Sequence, residues 1–204
     1  MIIMEYAASN TDFSITRNTD KEQGIRREIT LSKLKDYVIT IPDFPKEGIM
    51  FRDVTGILVH PDGLKLATDE LIKCLENVEF DAIASVEARG FVFGAPVAYA
   101  MGKPLIMIRK RGKLPRETVA KEYQLEYGTA TIEIHKDDLK PGQRIVLLDD
   151  LMATAGTFKA AIELMESMGA SVVKVLCLME LKGLNGREVL KDYEVESLIQ
   201  YEGK

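Results

Sequence analysis

Residues 145–157 read IVLLDDLMATAGT, and the fold turns on them. Ile145 to Leu148 form a continuous apolar run, the pattern of a strand buried on both faces of a sheet. From Phe158 to Met168 apolar residues recur at helical spacing, so a helix follows. Between strand and helix lies a tight turn of Ala, Thr and Gly. Such a turn presents unpaired main-chain N–H groups and the positive end of the helix dipole, which suits a phosphate. Asp149 and Asp150 close the strand. They cannot bind phosphate directly, but carboxylates accept hydrogen bonds from sugar hydroxyls or hold a divalent cation. The stretch therefore predicts a ribose-phosphate site. The plainer alternative is a strand-turn-helix whose acids only cap the helix.

The same grammar recurs on either side. Asp81 to Val86, DAIASV, reads as a strand, followed by Glu87-Ala88-Arg89-Gly90 and an apolar helical run from Phe91 to Met101. Thr129 to Ile134 alternates as a strand, and Pro141-Gly142 turns the chain into the opening motif. Gly169 ends the helix, Ser171 to Met179 is a β-branched strand, a short helix begins at Gly186-Arg187-Glu188, and Val195 to Tyr201 supplies a last strand. Strands alternating with helices predict an α/β domain with a mainly parallel central sheet flanked by helices. Arg89 at a strand's carboxyl end suits either a bidentate phosphate contact or a salt bridge to Glu87. Pro104 to Ile108 is a further strand running into Arg109-Lys110-Arg111-Gly112-Lys113. That cluster fits a solvated surface, a nucleic-acid or localisation patch, or a site that neutralises a diphosphate. Residues 113–127, KLPRETVAKEYQLEY, are polar and read as a long loop or hairpin excursion. Long loops in compact domains often serve as lids, and within this one Glu126 and Tyr127 are the candidate working groups.

Residues 1–30 are mixed polar and charged, without sustained periodicity, and read as a flexible N-terminal extension to a domain spanning 31–204. LSKLKDYVITI from Leu31 predicts a short helix. The Pro- and Gly-punctuated loop IPDFPKEGIMFRDVT follows, where Met50, Phe51 and Arg52 set a flexible apolar group, a flat ring and a guanidinium side by side. They could hold a planar heterocycle or simply plug the loop. Pro61 and Asp62 open a helix with Leu64, Ala67, Leu71, Leu75 and Val78 on one stripe. Leu181, just after a strand's end, is placed to pack on a ligand or in the core.

Composition narrows the function classes. A chain of 204 residues with 46% hydrophobic content can bury the core of one domain, and a net charge of −5 argues against a nucleic-acid or anionic-membrane partner. The two cysteines, Cys74 and Cys177, make no disulfide framework and suggest buried thiols in a reducing compartment. The N-terminus lacks the pattern of a secretory signal, and no apolar run reaches transmembrane length, so the expected location is cytoplasmic. His60 and His135 lack neighbours at zinc-ligand spacing.

Taken together, DFPKEGIMFRD, EARGFVFG, IRKRGKLP, LEYG, DDLMATAGT and GRE, in this order, resemble the adenine phosphoribosyltransferase family of type I phosphoribosyltransferases. The resemblance implies that fold, with a small hood and a flexible lid loop. It implies purine salvage: adenine plus phosphoribosyl diphosphate (PRPP) giving AMP and diphosphate, with Mg²⁺ carried on PRPP, in a homodimer. It maps Ala153, Thr154, Ala155, Gly156 and Thr157 onto the 5′-phosphate cradle, Asp149 and Asp150 onto the ribose hydroxyls, and Arg89, Arg109 and Lys110 onto the diphosphate. Phe51 and Leu181 match the residues flanking the purine, and Met50 and Arg52 the main chain that reads its edge. Glu126 matches the lid carboxylate near purine N7, with Tyr127 its companion. The family usually has Gly at the place of Ala155, where a methyl group would crowd the phosphate or resist a positive φ. Rival readings are the same fold acting on guanine, hypoxanthine or orotate, and a PRPP-sensing regulator without chemistry.

Overall fold

The computed structural model describes residues 12–124 and 128–203. The chain opens with helix α1 (Asp12–Asp36), an antiparallel pair β1 (Ile39–Pro42) and β2 (Met50–Asp53), and helices α2 (Thr55–Val59) and α3 (Gly63–Lys73). There follow β3 (Ala82–Val86), α4 (Arg89–Ala100), β4 (Leu105–Lys110), β5 (Thr118–Gln124), β6 (Thr129–His135), β7 (Arg144–Met152), α5 (Gly156–Ser167), β8 (Ser171–Leu181), the short α6 (Gly186–Val189) and β9 (Val195–Tyr201). The last seven strands form one sheet in the order β5-β6-β4-β3-β7-β8-β9. From β4 to β9 every pair is parallel; β6 joins β4 and β5 antiparallel. The mainly parallel sheet expected from strand-helix alternation is thus present, extended by a hairpin at one edge.

The apolar run that opens the key motif explains the layering. Ile145, Val146, Leu147 and Leu148 are each 0% exposed. Because strand side chains alternate, Ile145 and Leu147 pack with Phe158, Ile162 and Met165 of α5, whereas Val146 and Leu148 pack with Leu71 of α3 and Phe93 and Val97 of α4. One strand therefore anchors both halves of the core. Cys74 and Cys177 are free and buried. Burial and a hydrogen bond to Glu196 push the Cys74 thiol up to about 12, so it remains protonated.

Of the long loop or hairpin excursion expected over 113–127 the structure has the hairpin, because 118–124 form strand β5, paired along its whole length with β6. The strand is polar, but Val119, Lys121 and Tyr123 alternate on its less exposed side. The first thirty residues are not a loose arm throughout: α1 starts at Asp12 and runs through the short helix expected at Leu31. Its hold on the domain is ionic as well as apolar. Arg27 Nη2 donates to Glu196 Oε1 at 3.0 Å and to Cys74 Sγ at 3.2 Å, and Arg27 Nε lies 3.5 Å from Glu70 Oε2. Leu34, fully buried, supplies the apolar anchor. Most of this helix carries no apolar stripe.

Candidate active site

Strands β3 and β7 are neighbours, yet the chain leaves β3 towards β4 and leaves β7 towards β8, on opposite sides. Their carboxyl ends thus frame a topological switch point, the crevice where open α/β sheets bind ligands. Both turns singled out in the sequence end there. A cavity of about 820 Å³ is lined by Arg89, Lys110, Arg111, Tyr123, Asp149, Asp150 and residues 153–158, among others. A second cavity, about 670 Å³, is lined by Ile49, Met50, Phe51, Arg52, Leu181 and Leu184. The two share Arg89, Leu151, Ala153, Thr154, Gly156 and Thr157, so they meet along the cradle.

The cradle is the start of α5. No side chain caps this helix, which leaves its first N–H groups open to an anion. Ala155 precedes it in the left-handed conformation, φ 63° and ψ 11°. A positive φ was one of two consequences expected for this position, the other being crowding of the phosphate, on which the packing of the methyl bears. Ala155 is only 4% exposed, and a Cβ placed on Gly186 would come within 3.3 Å of its methyl. The methyl is thus embedded beside α6. Replacing Ala155 with Gly should relieve about 1 kcal/mol of left-handed strain and lose a packed methyl of similar value, roughly 0.8 kcal/mol. PRPP affinity is expected to stay within about twofold by equilibrium titration, and a tenfold tightening would show that the methyl does crowd the anion.

At the floor, Asp149 and Asp150 are linked to each other and to Arg89. The Asp150 N–H donates to Asp149 Oδ1 at 2.8 Å, and Arg89 Nε donates to Asp150 Oδ2. Burial, then the neighbouring Asp150 charge, pushes the Asp149 carboxyl well above the usual carboxylate range; the Asp150 N–H and Arg89 pull the other way. Helix α4 comes close here because residue 90 is glycine: a Cβ there would sit 2.7 Å from Asp149 Oδ1.

Among the cations, Arg89 and Lys110 line the larger cavity, and so does Arg111, which belongs to the basic cluster but not to the residues the resemblance maps onto the diphosphate. Arg109 does not line it. Its Nε donates to Glu87 Oε2 at 2.8 Å and its Nη1 to the Lys113 carbonyl at 3.3 Å. The reason is strand alternation: Lys110 shares a face with buried Ile106 and Ile108, and Arg109 lies on the other. Tyr123, also missed, faces the cradle, with its hydroxyl 3.2 Å from Thr157 Oγ1.

The smaller cavity brings together Met50, Phe51, Arg52 and Leu181, as expected. Phe44 meets the Phe51 ring edge-on at 5.1 Å, and the Arg52 guanidinium lies 4.3 Å from the Tyr201 ring centroid. Arg52 is therefore held by its side chain against β9, while its main chain lies in β2 opposite Thr40. Glu126 and Tyr127 lie outside the described residues.

Residues 53–203 match the model of the phosphoribosyl transferase domain, so the chain belongs to the phosphoribosyl transferase family, the adenine phosphoribosyltransferases included. It is 61% identical over 174 residues to the adenine phosphoribosyltransferase of Agathobacter rectalis, a match covering 85% of this chain and all of that protein. The crystal structure of adenine phosphoribosyltransferase from Thermoanaerobacter pseudethanolicus superimposes with a TM-score of 0.81 at 48% identity, covering 84% of this chain and 99% of that one. The Saccharomyces cerevisiae enzyme, complexed with an imino-altritol bisphosphate and adenine, gives 0.79 at 35% identity over 84% and 99%.

Proposed function

We propose that this site transfers the phosphoribosyl group of PRPP to adenine, giving AMP and diphosphate. The observation that carries this is the meeting of a polar cavity, with cradle, acid pair and cations, and an apolar cavity walled by Phe51 and Leu181. A phosphoribosyl donor and a flat acceptor seated in the two would bring C1 of the sugar against the base at their shared rim. The 5′-phosphate occupies the cradle of Ala153 to Thr157, and Asp149 and Asp150 accept hydrogen bonds from the ribose hydroxyls. Arg89 and Lys110, joined by Arg111, hold the diphosphate.

In the reaction the bond from C1 to the diphosphate oxygen breaks, its electron pair leaving with diphosphate, and a base nitrogen lone pair forms the new bond to C1. Positive charge grows on the ribose ring and negative charge on the leaving group, so fixed cations lower the barrier. Stacking on Phe51 aims the base and limits the wasted approach of two separate reactants. The base sheds one proton as the new bond forms; the family resemblance places Glu126, with Tyr127 beside it, near purine N7, where a carboxyl can hydrogen-bond the base and take part in proton transfer.

Magnesium fits this site as a guest of the substrate. Asp149 and Asp150 are hard oxygen donors beside the sugar position, and no cluster of three acidic, His or Cys ligands occurs among the described residues. An ion held mainly by diphosphate, ribose oxygens and water would neutralise the leaving group. We also propose a homodimer and a cytoplasmic location. Val92 and Tyr99, seven residues apart on α4, and Met107 on β4 leave apolar surface exposed at 38%, 89% and 39%, which suits a second copy. No helix among the described residues is long and apolar enough to cross a membrane.

A steady-state assay offering each base separately with PRPP tests the reading. Adenine should be preferred; preference for hypoxanthine, guanine or orotate would sink the base assignment, and tight PRPP binding without turnover would favour a sensor.

A further inference from the structure

We propose that Tyr123 is a positioning residue for the 5′-phosphate, acting through the Thr157 hydroxyl. The inference rests on the reading of the cradle as the phosphoribosyl site and adds to it a residue from outside that motif.

Strand β5 is fastened along α5 at two points. Lys121 Nζ lies 2.8 Å from Glu163 Oε2, and the Tyr123 hydroxyl lies 3.2 Å from Thr157 Oγ1. Between these contacts the strand advances two residues and the helix six. That is roughly 7 Å against 9 Å, so the two elements run side by side in opposite senses. The Tyr123 ring is half-buried against the core and leaves its polar tip at the cavity wall, where Thr157 also lies.

A threonine hydroxyl is both donor and acceptor, and by itself it rotates to suit its surroundings. Its contact with Tyr123 removes that freedom. If Tyr123 donates to Thr157 Oγ1, the threonine hydrogen is left for another acceptor. If Thr157 donates, the tyrosine hydrogen is left instead. The first sense is the one proposed, and it leaves the oriented O–H on Thr157 at the wall of the cradle. A phosphate there receives a donor already oriented, in addition to the N–H groups at the start of α5.

Tyr123→Phe keeps the ring and removes only the hydroxyl. The expected result is a rise of about tenfold in KM for PRPP, the size of one hydrogen bond to a charged group, with kcat changed less than about twofold. Titration with ribose 5-phosphate, which carries the 5′-phosphate, should show a similar loss, whereas inorganic diphosphate should bind as before. In a Thr157→Val background, Tyr123→Phe should add nothing, because its route to the phosphate is already gone. Unchanged ribose 5-phosphate affinity in Tyr123→Phe, an equal loss for diphosphate, or a full effect in the Thr157→Val background would each overturn the proposal. Failure of the parent protein to bind ribose 5-phosphate or PRPP would overturn this inference together with the phosphoribosyl reading. Parent binding that Tyr123→Phe leaves intact would overturn this inference alone.

Discussion

Replacing Arg89 with Ala is expected to lower kcat/KM for PRPP by about 10²–10³-fold, with diphosphate inhibition weakened in parallel and KM for adenine changed far less. Two losses coincide. The guanidinium lines both cavities, where the proposed leaving group and the base approach each other. It is also the cation paired with Asp150, whose side chain is 7% exposed. Without it, two adjacent carboxyls, that of Asp150 buried, are left with no positive charge on their ion-pair side, and Arg89 no longer opposes the upward push on the Asp149 carboxyl. Lysine would restore the charge but not the planar fork, so Arg89→Lys should recover only part of the loss. Steady-state kinetics with both substrates varied, alongside diphosphate inhibition, measure the effect. A KM for PRPP within threefold of the parent value, with unchanged diphosphate inhibition, would remove Arg89 from the site.

Gly90→Ala is expected to act as strongly from the opposite side of the floor. The added Cβ would lie 2.7 Å from Asp149 Oδ1 and 3.3 Å from both Asp149 Cα and the Leu148 carbonyl. The carboxylate could swing away, but the main chain of β7 cannot yield, because Leu147 and Leu148 are fully buried. Helix α4 must lift or Asp149 must leave its place, and either change displaces a proposed ribose contact. The expected outcome is a loss of about 1–3 kcal/mol in stability and of roughly 10²-fold in PRPP affinity. Chemical denaturation and equilibrium titration read the two separately. Parent-like PRPP affinity in a folded Gly90→Ala protein would show that Asp149 does not contribute.

The parts of the fold legible in the sequence were those whose side chains declare their environment. Ile145 to Leu148 could only be a strand covered on both faces, and the same run located the acids and the phosphate turn. Helix α1 was not legible because much of it is fastened by Arg27 to Glu196 and Glu70 rather than by a stripe of apolar residues. Strand β5 hid behind Lys121 and Tyr123, polar residues whose stem and ring pack on α5 while their ends find Glu163 and Thr157. In the cation cluster, adjacency marked the right neighbourhood. Only the register of β4, visible once Ile106 and Ile108 were seen to face the core, separated Lys110 from Arg109. The cradle's residue types were plain in sequence, but the direction of the Ala155 methyl depended on α6, some thirty residues further along the chain.

The ionic anchor of α1 also bears on how the protein is made. Arg27 and Glu196 are separated by 169 positions, so α1 meets one of its main partners only after that much more chain has been made. At roughly 5–20 residues per second, that interval is about 8–34 s. For the last 122 positions of it, Glu70 and Cys74 have been made while Glu196 has not, and α1 can dock only provisionally. Completion of the last strand therefore does two things at once: it closes the edge of the sheet and seals the helix with which the fold begins.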